Sequence, residues 1–212
     1  NIRGAREASF YDKISILGYP HSTSDTFLRK NINSSLEKSR KTIDQLLEIC
    51  DKSGKTLSIY YSMGFGNPYK EEWNIDQLFE ETKLLDKAGV TRIVLSDTIG
   101  VGTANQIAAS FKLLVPEFEN VQFGLHLHST LENWYEKIDA AYKNGCRSFE
   151  GVLNGLGGCP MAGHELVGNL RTGLLLEYFE KNGIPVKINK EKFENAITKS
   201  ITTFALLKYK KF

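Results

Sequence analysis

The chain is predicted to be an α/β protein with parallel strands, on three observations. Short apolar runs rich in β-branched and aromatic residues alternate with longer amphipathic ones. The amphipathic runs carry recognisable helix starts and stops. Nearly every short run opens into a polar tail: GYPHS, YYSMGFGN, SDTIGVG, HLHS and NGLGGCP. A β-α-β-α order implies parallel strands joined by right-handed crossovers, so the architecture is a (β/α) barrel or an open doubly wound sheet. A ring of polar βα loops fits the mouth of a barrel, although only five of a barrel's eight strands are legible. No internal repeat, linker or low-complexity segment divides the chain, and one domain over 1–212 is expected.

The strands are expected at Lys13–Gly18, Thr56–Tyr61, Thr91–Ser96, Val121–His128 and Cys146–Leu153. Between them, Ser34-Ser35-Leu36-Glu37 is a capping-box pattern, followed by Ile43, Leu46, Leu47 and Cys50 on one helical face and by Gly54 as a stop. Asn74 opens a helix carrying Ile75, Leu78, Phe79, Thr82 and Leu85, which Gly89 ends. Thr103 with Gln106 forms a second box before Ile107, Phe111 and Leu114, with a stop at Pro116. Further helices are expected at about 131–144, 168–182 and 190–208. In the last, Phe193, Ile197, Ile201 and Phe204 fall at helical spacing and read as a core stripe.

Composition excludes several classes. With 41% hydrophobic and 25% charged residues, 18 Gly and 5 Pro in 212 residues, the chain is globular rather than disordered, collagen-like or a disulfide scaffold. A formal charge of +2, from 27 basic and 25 acidic residues, argues against a nucleic-acid surface. No apolar run approaches the ~18 residues of a membrane span, so no membrane partner is expected. The first residues read as neither signal nor transit peptide. Three cysteines without a close CxxC favour a reducing compartment. Because the chain starts at Asn1, its length is not taken as the natural one.

Five places could carry chemistry. His126 and His128 alternate on a strand, so both imidazoles point one way and can share a metal ion; the same pattern fits two core-edge histidines with satisfied hydrogen bonds. Asp97 follows a strand at the head of Asp97–Thr103, where its carboxylate either faces the mouth of the site or braces the turn. Cys159 sits in a glycine-rich loop that could carry a nucleophile or a general acid–base over a site, or be a plain turn. Asn169 precedes a helix and reads first as its N-cap. His21 and His164 read as exposed loop histidines, and Cys50 and Cys146 as small core residues.

Together, RKNINSSLE at 29–37, SDTIGVGT at 96–103, the HxH at 126–128, GLGGCP at 155–160 and GN at 168–169 resemble the 3-hydroxy-3-methylglutaryl-CoA (HMG-CoA) lyases, nearest a bacterial branch. These belong to a wider group of metal-dependent lyases and Claisen-type synthases built on TIM barrels. The resemblance implies that His126, His128 and Asn169 bind Mg²⁺ or Mn²⁺, that Cys159 is the catalytic cysteine, and that Asp97 positions or protonates substrate. It implies an acyl-CoA substrate, a homodimer, and a bacterial cytoplasmic or mitochondrial matrix location.

Departures accompany the match. The Arg-Asp-Gly segment that supplies the family's remaining ligand is absent, so the chain reads as a TIM (β/α)8 barrel lacking about its first three β/α units, and the 212 residues alone are expected to be inactive. Gly173 stands where the family places Glu, and Ser129 where many relatives have Asp. Two readings compete: a synthase or aldolase of the same superfamily, and a catalytically silent barrel relative.

Overall fold

A computed structural model describes residues 1–157 and 167–209. Its described residues form one parallel sheet in the order β1 (Ile16–His21), β2 (Thr56–Tyr61), β3 (Arg92–Asp97), β4 (Gln122–Leu127) and β5 (Ser148–Glu150). Helices α1 (Ile2–Ser9), α2 (Asp25–Ile32), α3 (Leu36–Ser53), α4 (Ile75–Lys87), α5 (Ala104–Glu117), α6 (Trp134–Lys143), α7 (Thr172–Lys181) and α8 (Lys190–Tyr209) complete the chain. Sequential strand order with parallel pairing is barrel connectivity, and it decides against a doubly wound sheet, whose order reverses. The sheet is not closed: β1 and β5 are its edges. No helix among the described residues is long and apolar enough to cross a membrane.

The two faces of the sheet are chemically different. Leu17, Tyr19, Leu57, Ile59, Ile93, Leu95, Phe123, Leu125 and Leu127 lie on one face and are buried against α3 to α7 in the main core. Pro20, Tyr60, Ser96, His126 and Glu150 lie on the other, in registers Pro20↔Tyr60, Ser96↔His126 and His126↔Glu150. That second face is concave. Strands spaced about 4.8 Å apart put β2 and β5 about 14 Å apart in a flat sheet, yet Tyr60 Oη donates to Glu150 Oε1 at 2.9 Å.

Local signals set most boundaries. Thr103 and Gln106 make the expected capping box, and Asn74 caps α4 through Asp76 and Gln77 N–H. Gly54 ends α3 in the left-handed conformation. Other expectations are corrected. Ser35 rather than Ser34 caps α3, since Glu37 turns outward to Lys41. Pro116 does not stop α5: it lies inside the last turn, and the helix continues to Glu117 before Phe118 caps it. The first strand begins at Ile16, not Lys13, so that His21 belongs to it. Helices α1 and α2 were not expected; each is eight residues, too short for a clear period. The α8 stripe is not core: Ile201 and Phe204 are exposed.

Candidate functional site

The concave face carries a polar cluster at the C-terminal ends of the strands. The His126 and His128 rings approach edge-on with centroids 5.4 Å apart. His128 forms an antiparallel bridge with Asn169, and Leu170 N–H bonds Leu127 C=O at 2.9 Å, so residues 167–170 are stitched along the end of β4. Asn169 is therefore not the N-cap of α7; Arg171 holds that place, and the Asn169 amide Nδ2 donates to Leu156 C=O at 2.9 Å. Its Oδ1 has no partner among the described residues.

The hydrogen bonds fix which imidazole nitrogen is free. His128 Nδ1 lies 2.8 Å from Val167 C=O, which can only accept, so Nδ1 carries the proton. Burial of His128 pushes its pKa down, favouring the neutral ring whose lone pair then sits on Nε2. His126 Nδ1 lies 3.1 Å from Glu150 Oε2. Burial raises the Glu150 pKa, but hydrogen bonds from His126 and Tyr60 outweigh it and hold the group below the usual carboxylate range. An ionised carboxylate only accepts, so His126 Nδ1 is also N–H. Burial first, and then the bond to Glu150, push the Tyr60 hydroxyl up to about 12, so it stays a donor. Two Nε2 lone pairs and one amide oxygen, with outer partners in place, form a mixed N/O donor set that fits a hard divalent cation with open positions. Among the described residues no group of three His, Cys, Asp or Glu could hold a metal.

Asp97 lies elsewhere. It is in register with Leu127, on the helix-covered face, and is 1% exposed. Lys137 Nζ of α6 bonds its Oδ2 at 2.8 Å and Gly102 N–H its Oδ1 at 3.0 Å. Of the two expectations the structure shows the bracing one: alternation along β3 puts Asp97 on the same face as Ile93 and Leu95, where Lys137 pairs with it. The turn it braces must be tight. Gly100, at φ +78°, has no room for a Cβ beside Val167 and His128 C=O, and at Gly102 a Cβ would meet Phe65. These glycines admit the protein's own chain rather than a ligand.

His21 is likewise corrected. It is fully buried on the helix face, with Nδ1 2.8 Å from Ser39 Oγ and Nε2 2.9 Å from Glu81 Oε1. Arg40 pairs with both oxygens of Glu81. Burial raises the Glu81 pKa, but these donors overcome it and bring the carboxyl down to about 2. Cys50 and Cys146 are buried as expected, the Cys146 thiol pushed up to about 12 chiefly by burial. Cys159 and His164 lie outside the described residues.

Glu150, Tyr60, Lys137, Glu81 and Arg40 were not singled out in the sequence. Lys137 and Glu81 carried a signal, each interrupting an otherwise apolar helical stripe: Trp134, Lys137, Ile138, Ala141 and Leu78, Glu81, Thr82, Leu85. Glu150 sits two residues after Ser148 on a strand, where the alternation places it beside His126.

Comparison with known proteins shows the family. The HMGL-like family matches residues 5–198. Hydroxymethylglutaryl-CoA lyase YngG of Bacillus subtilis (strain 168) is 31% identical over 175 residues, covering 82% of this chain and 58% of that protein. The crystal structure of the Bacillus subtilis HMG-CoA lyase superposes with a TM-score of 0.88 at 29% identity, covering 97% of this chain and 68% of that one. The structure of an HMG-CoA lyase from Acinetobacter baumannii in complex with coenzyme A and 3-methylmalate superposes with a TM-score of 0.84 at 26% identity, covering 93% of this chain and 64% of that one. The chain spans about three-fifths of the length of the curated relatives it matches. Its open five-stranded sheet is a portion of the lyase TIM-barrel fold, and the chain belongs to the HMGL-like family.

Proposed function

We propose that the chain carries the metal-binding and proton-donating part of a carbon–carbon lyase that cleaves HMG-CoA to acetyl-CoA and acetoacetate. The observation that carries this reading is the pair of imidazoles whose Nδ1–H groups are both engaged, leaving both Nε2 atoms free beside Asn169. His126, His128 and Asn169 would hold Mg²⁺ or Mn²⁺, which supplies Lewis-acid stabilisation of negative charge on substrate oxygen. Retro-Claisen cleavage removes the proton of the tertiary hydroxyl, breaks the bond between C2 and C3, and protonates C2 of the departing enolate. Cys159 is the residue we assign to that last proton, delivered by its glycine-rich loop. Asp97, paired with Lys137, works as a positioning residue: it holds the turn that packs on Val167 and His128.

An acyl-CoA partner is supported by a cavity of about 830 Å³ near the end of β1, lined by Arg29, Lys30, Lys38 and Lys41 together with Pro20 and Ser34. Cationic side chains there suit the phosphates of CoA. A homodimer in a bacterial cytoplasm or mitochondrial matrix belongs to the same reading.

Because the chain spans about three-fifths of its relatives, we propose that the 212 residues alone do not turn over. The test is acetoacetate release from HMG-CoA with added Mg²⁺ or Mn²⁺, from the chain alone and from the chain fused behind the remaining N-terminal part of the Bacillus subtilis lyase. Metal-dependent release by the fusion only is expected. No release by a folded fusion overturns the lyase reading, and full turnover by the chain alone overturns the incompleteness. Within an active fusion, Cys159→Ser should slow turnover about 10²–10⁴-fold while Mn²⁺ affinity stays unchanged. Equal loss of metal binding would remove that division of labour.

A further inference from the structure

The carboxylate of Glu150 is held from two sides. Its Oε1 accepts from Tyr60 Oη on β2 at 2.9 Å, and its Oε2 accepts from His126 Nδ1 on β4 at 3.1 Å. Three strands thus converge on one side chain. The Tyr60 ring also meets the His126 ring edge-on, with centroids 6.3 Å apart, so the imidazole plane is braced as well as bonded.

We propose that Glu150 is a positioning residue that locks His126 in the Nδ1–H tautomer and so directs the Nε2 lone pair into the space shared with His128 and Asn169. An unconstrained neutral imidazole favours the opposite tautomer, with the proton on Nε2 and the lone pair on Nδ1. In this fold that arrangement would turn the lone pair of His126 toward β5 and an N–H toward the cation. The partner of Nδ1 therefore decides whether His126 can be a ligand at all. His128 has the same tautomer by different means: its acceptor is the backbone C=O of Val167, which no side-chain substitution removes. The two histidines are a perturbed site and its internal control.

This inference rests on the proposed metal role only for its affinity consequence; the tautomer is read in the metal-free protein. The experiment is ¹⁵N–¹H long-range correlation on the 212-residue chain in mildly alkaline buffer, for the parent, Glu150→Ala and Glu150→Met. The methionine variant keeps length and packing but offers only a weakly accepting, uncharged sulfur, so it serves if the alanine variant does not fold. The parent should show the Nδ1–H pattern at both His126 and His128. Either variant should move His126 alone toward the Nε2–H pattern. Mn²⁺ titration of the same proteins should then show about 10–100-fold weaker binding. An unmoved His126, or His126 and His128 moving together, overturns the inference. A His126-specific change in a protein that binds no Mn²⁺ upholds the positioning role and removes the metal reading instead.

Discussion

Two polar clusters lie at the C-terminal ends of the strands, on opposite faces of the same sheet, and they spend their hydrogen bonds differently. On the helix-covered face, His21 uses both ring nitrogens on Ser39 and Glu81, Glu81 is completed by Arg40, and Asp97 is closed by Lys137 and Gly102. On the concave face, His126 and His128 each use only Nδ1, and Asn169 keeps its oxygen. Burial divides the two carboxylate–histidine pairs: the His21 and Glu81 side chains are 0% and 2% exposed, those of His126 and Glu150 27% and 29%, while His128 beside them is buried at 5%. A saturated, dry cluster holds helices to strands. An unsaturated, accessible one has valence left for a ligand.

The largest effect should come from opening the dry side. Lys137→Ala leaves the Asp97 carboxylate buried with only the Gly102 N–H, and also strips a donor from Gly100 C=O. Unfolding in urea should show a loss of about 3–5 kcal/mol. The double variant Asp97→Leu with Lys137→Met should regain most of it, because an apolar pair of similar volume carries no desolvation cost. A loss below about 1 kcal/mol for the single variant would mean that water reaches Asp97, and that the two faces are less different than they look.

A somewhat smaller effect should appear as acid sensitivity. Glu81 has a folded-state pKa near 2 against an ordinary 4.5. A depressed carboxyl contributes stability that is fully present above its unfolded pKa and is lost as pH falls through its folded one. The window is therefore about pH 4.5 down to about 2, and the contribution is on the order of 3 kcal/mol. Urea midpoints measured across that window should fall for the parent, and Glu81→Gln should flatten this part of the fall while lowering stability at neutral pH. An unchanged acid limb in Glu81→Gln would place the sensitivity in other carboxylates.

On the open side the matched change is smaller in stability and larger in binding. His126→Ala removes a ring that is only partly buried, so the fold should lose about 1 kcal/mol or less. Mn²⁺ affinity should fall at least tenfold, about 1.4 kcal/mol. A stability loss as large as that of Lys137→Ala, with binding intact, would make His126 a structural residue like His21.

These clusters also mark where the sequence was readable and where it was not. The α/β class, the strand centres at Thr56–Tyr61 and in the HLH run, and the helix ends at Gly54, Asn74 and Thr103 follow from period and capping, which are local. The juxtaposition of His126 and His128 is local too, since it needs only strand alternation. That Asp97 shares a face with Ile93 and Leu95 is local as well; what is not local is its partner Lys137, forty residues away, which closes the carboxylate. His21 was misread because it ends a strand that was expected to stop at Gly18, three residues early. The charged residues at Glu81 and Lys137 inside apolar stripes were the visible trace of both dry pairs, and a lone charge at such a position asks for a buried partner. The exposed α8 stripe shows the opposite failure, since helical spacing reports an apolar face without reporting what covers it.

The most direct comparison of the two faces removes a single hydroxyl from each. Ser39 Oγ lies between His21 Nδ1 and Tyr19 Oη, and Ser39 is fully buried. Ser39→Ala leaves that ring nitrogen without a partner and without water, so it should cost about 1–3 kcal/mol. Tyr60→Phe removes one donor from Glu150 while keeping the ring against His126. Water can take the vacated place on a carboxylate that is 29% exposed, so the loss should be about 0.5–1 kcal/mol. The Tyr60 hydroxyl, held near 12, donates at every pH below that, so this loss should not vary between neutral and mildly alkaline buffer. Paired urea titrations measure both. Losses of equal size would mean that the concave face is as dry as the helix-covered one, and a dry concave face would leave no open valence for a cation to reach.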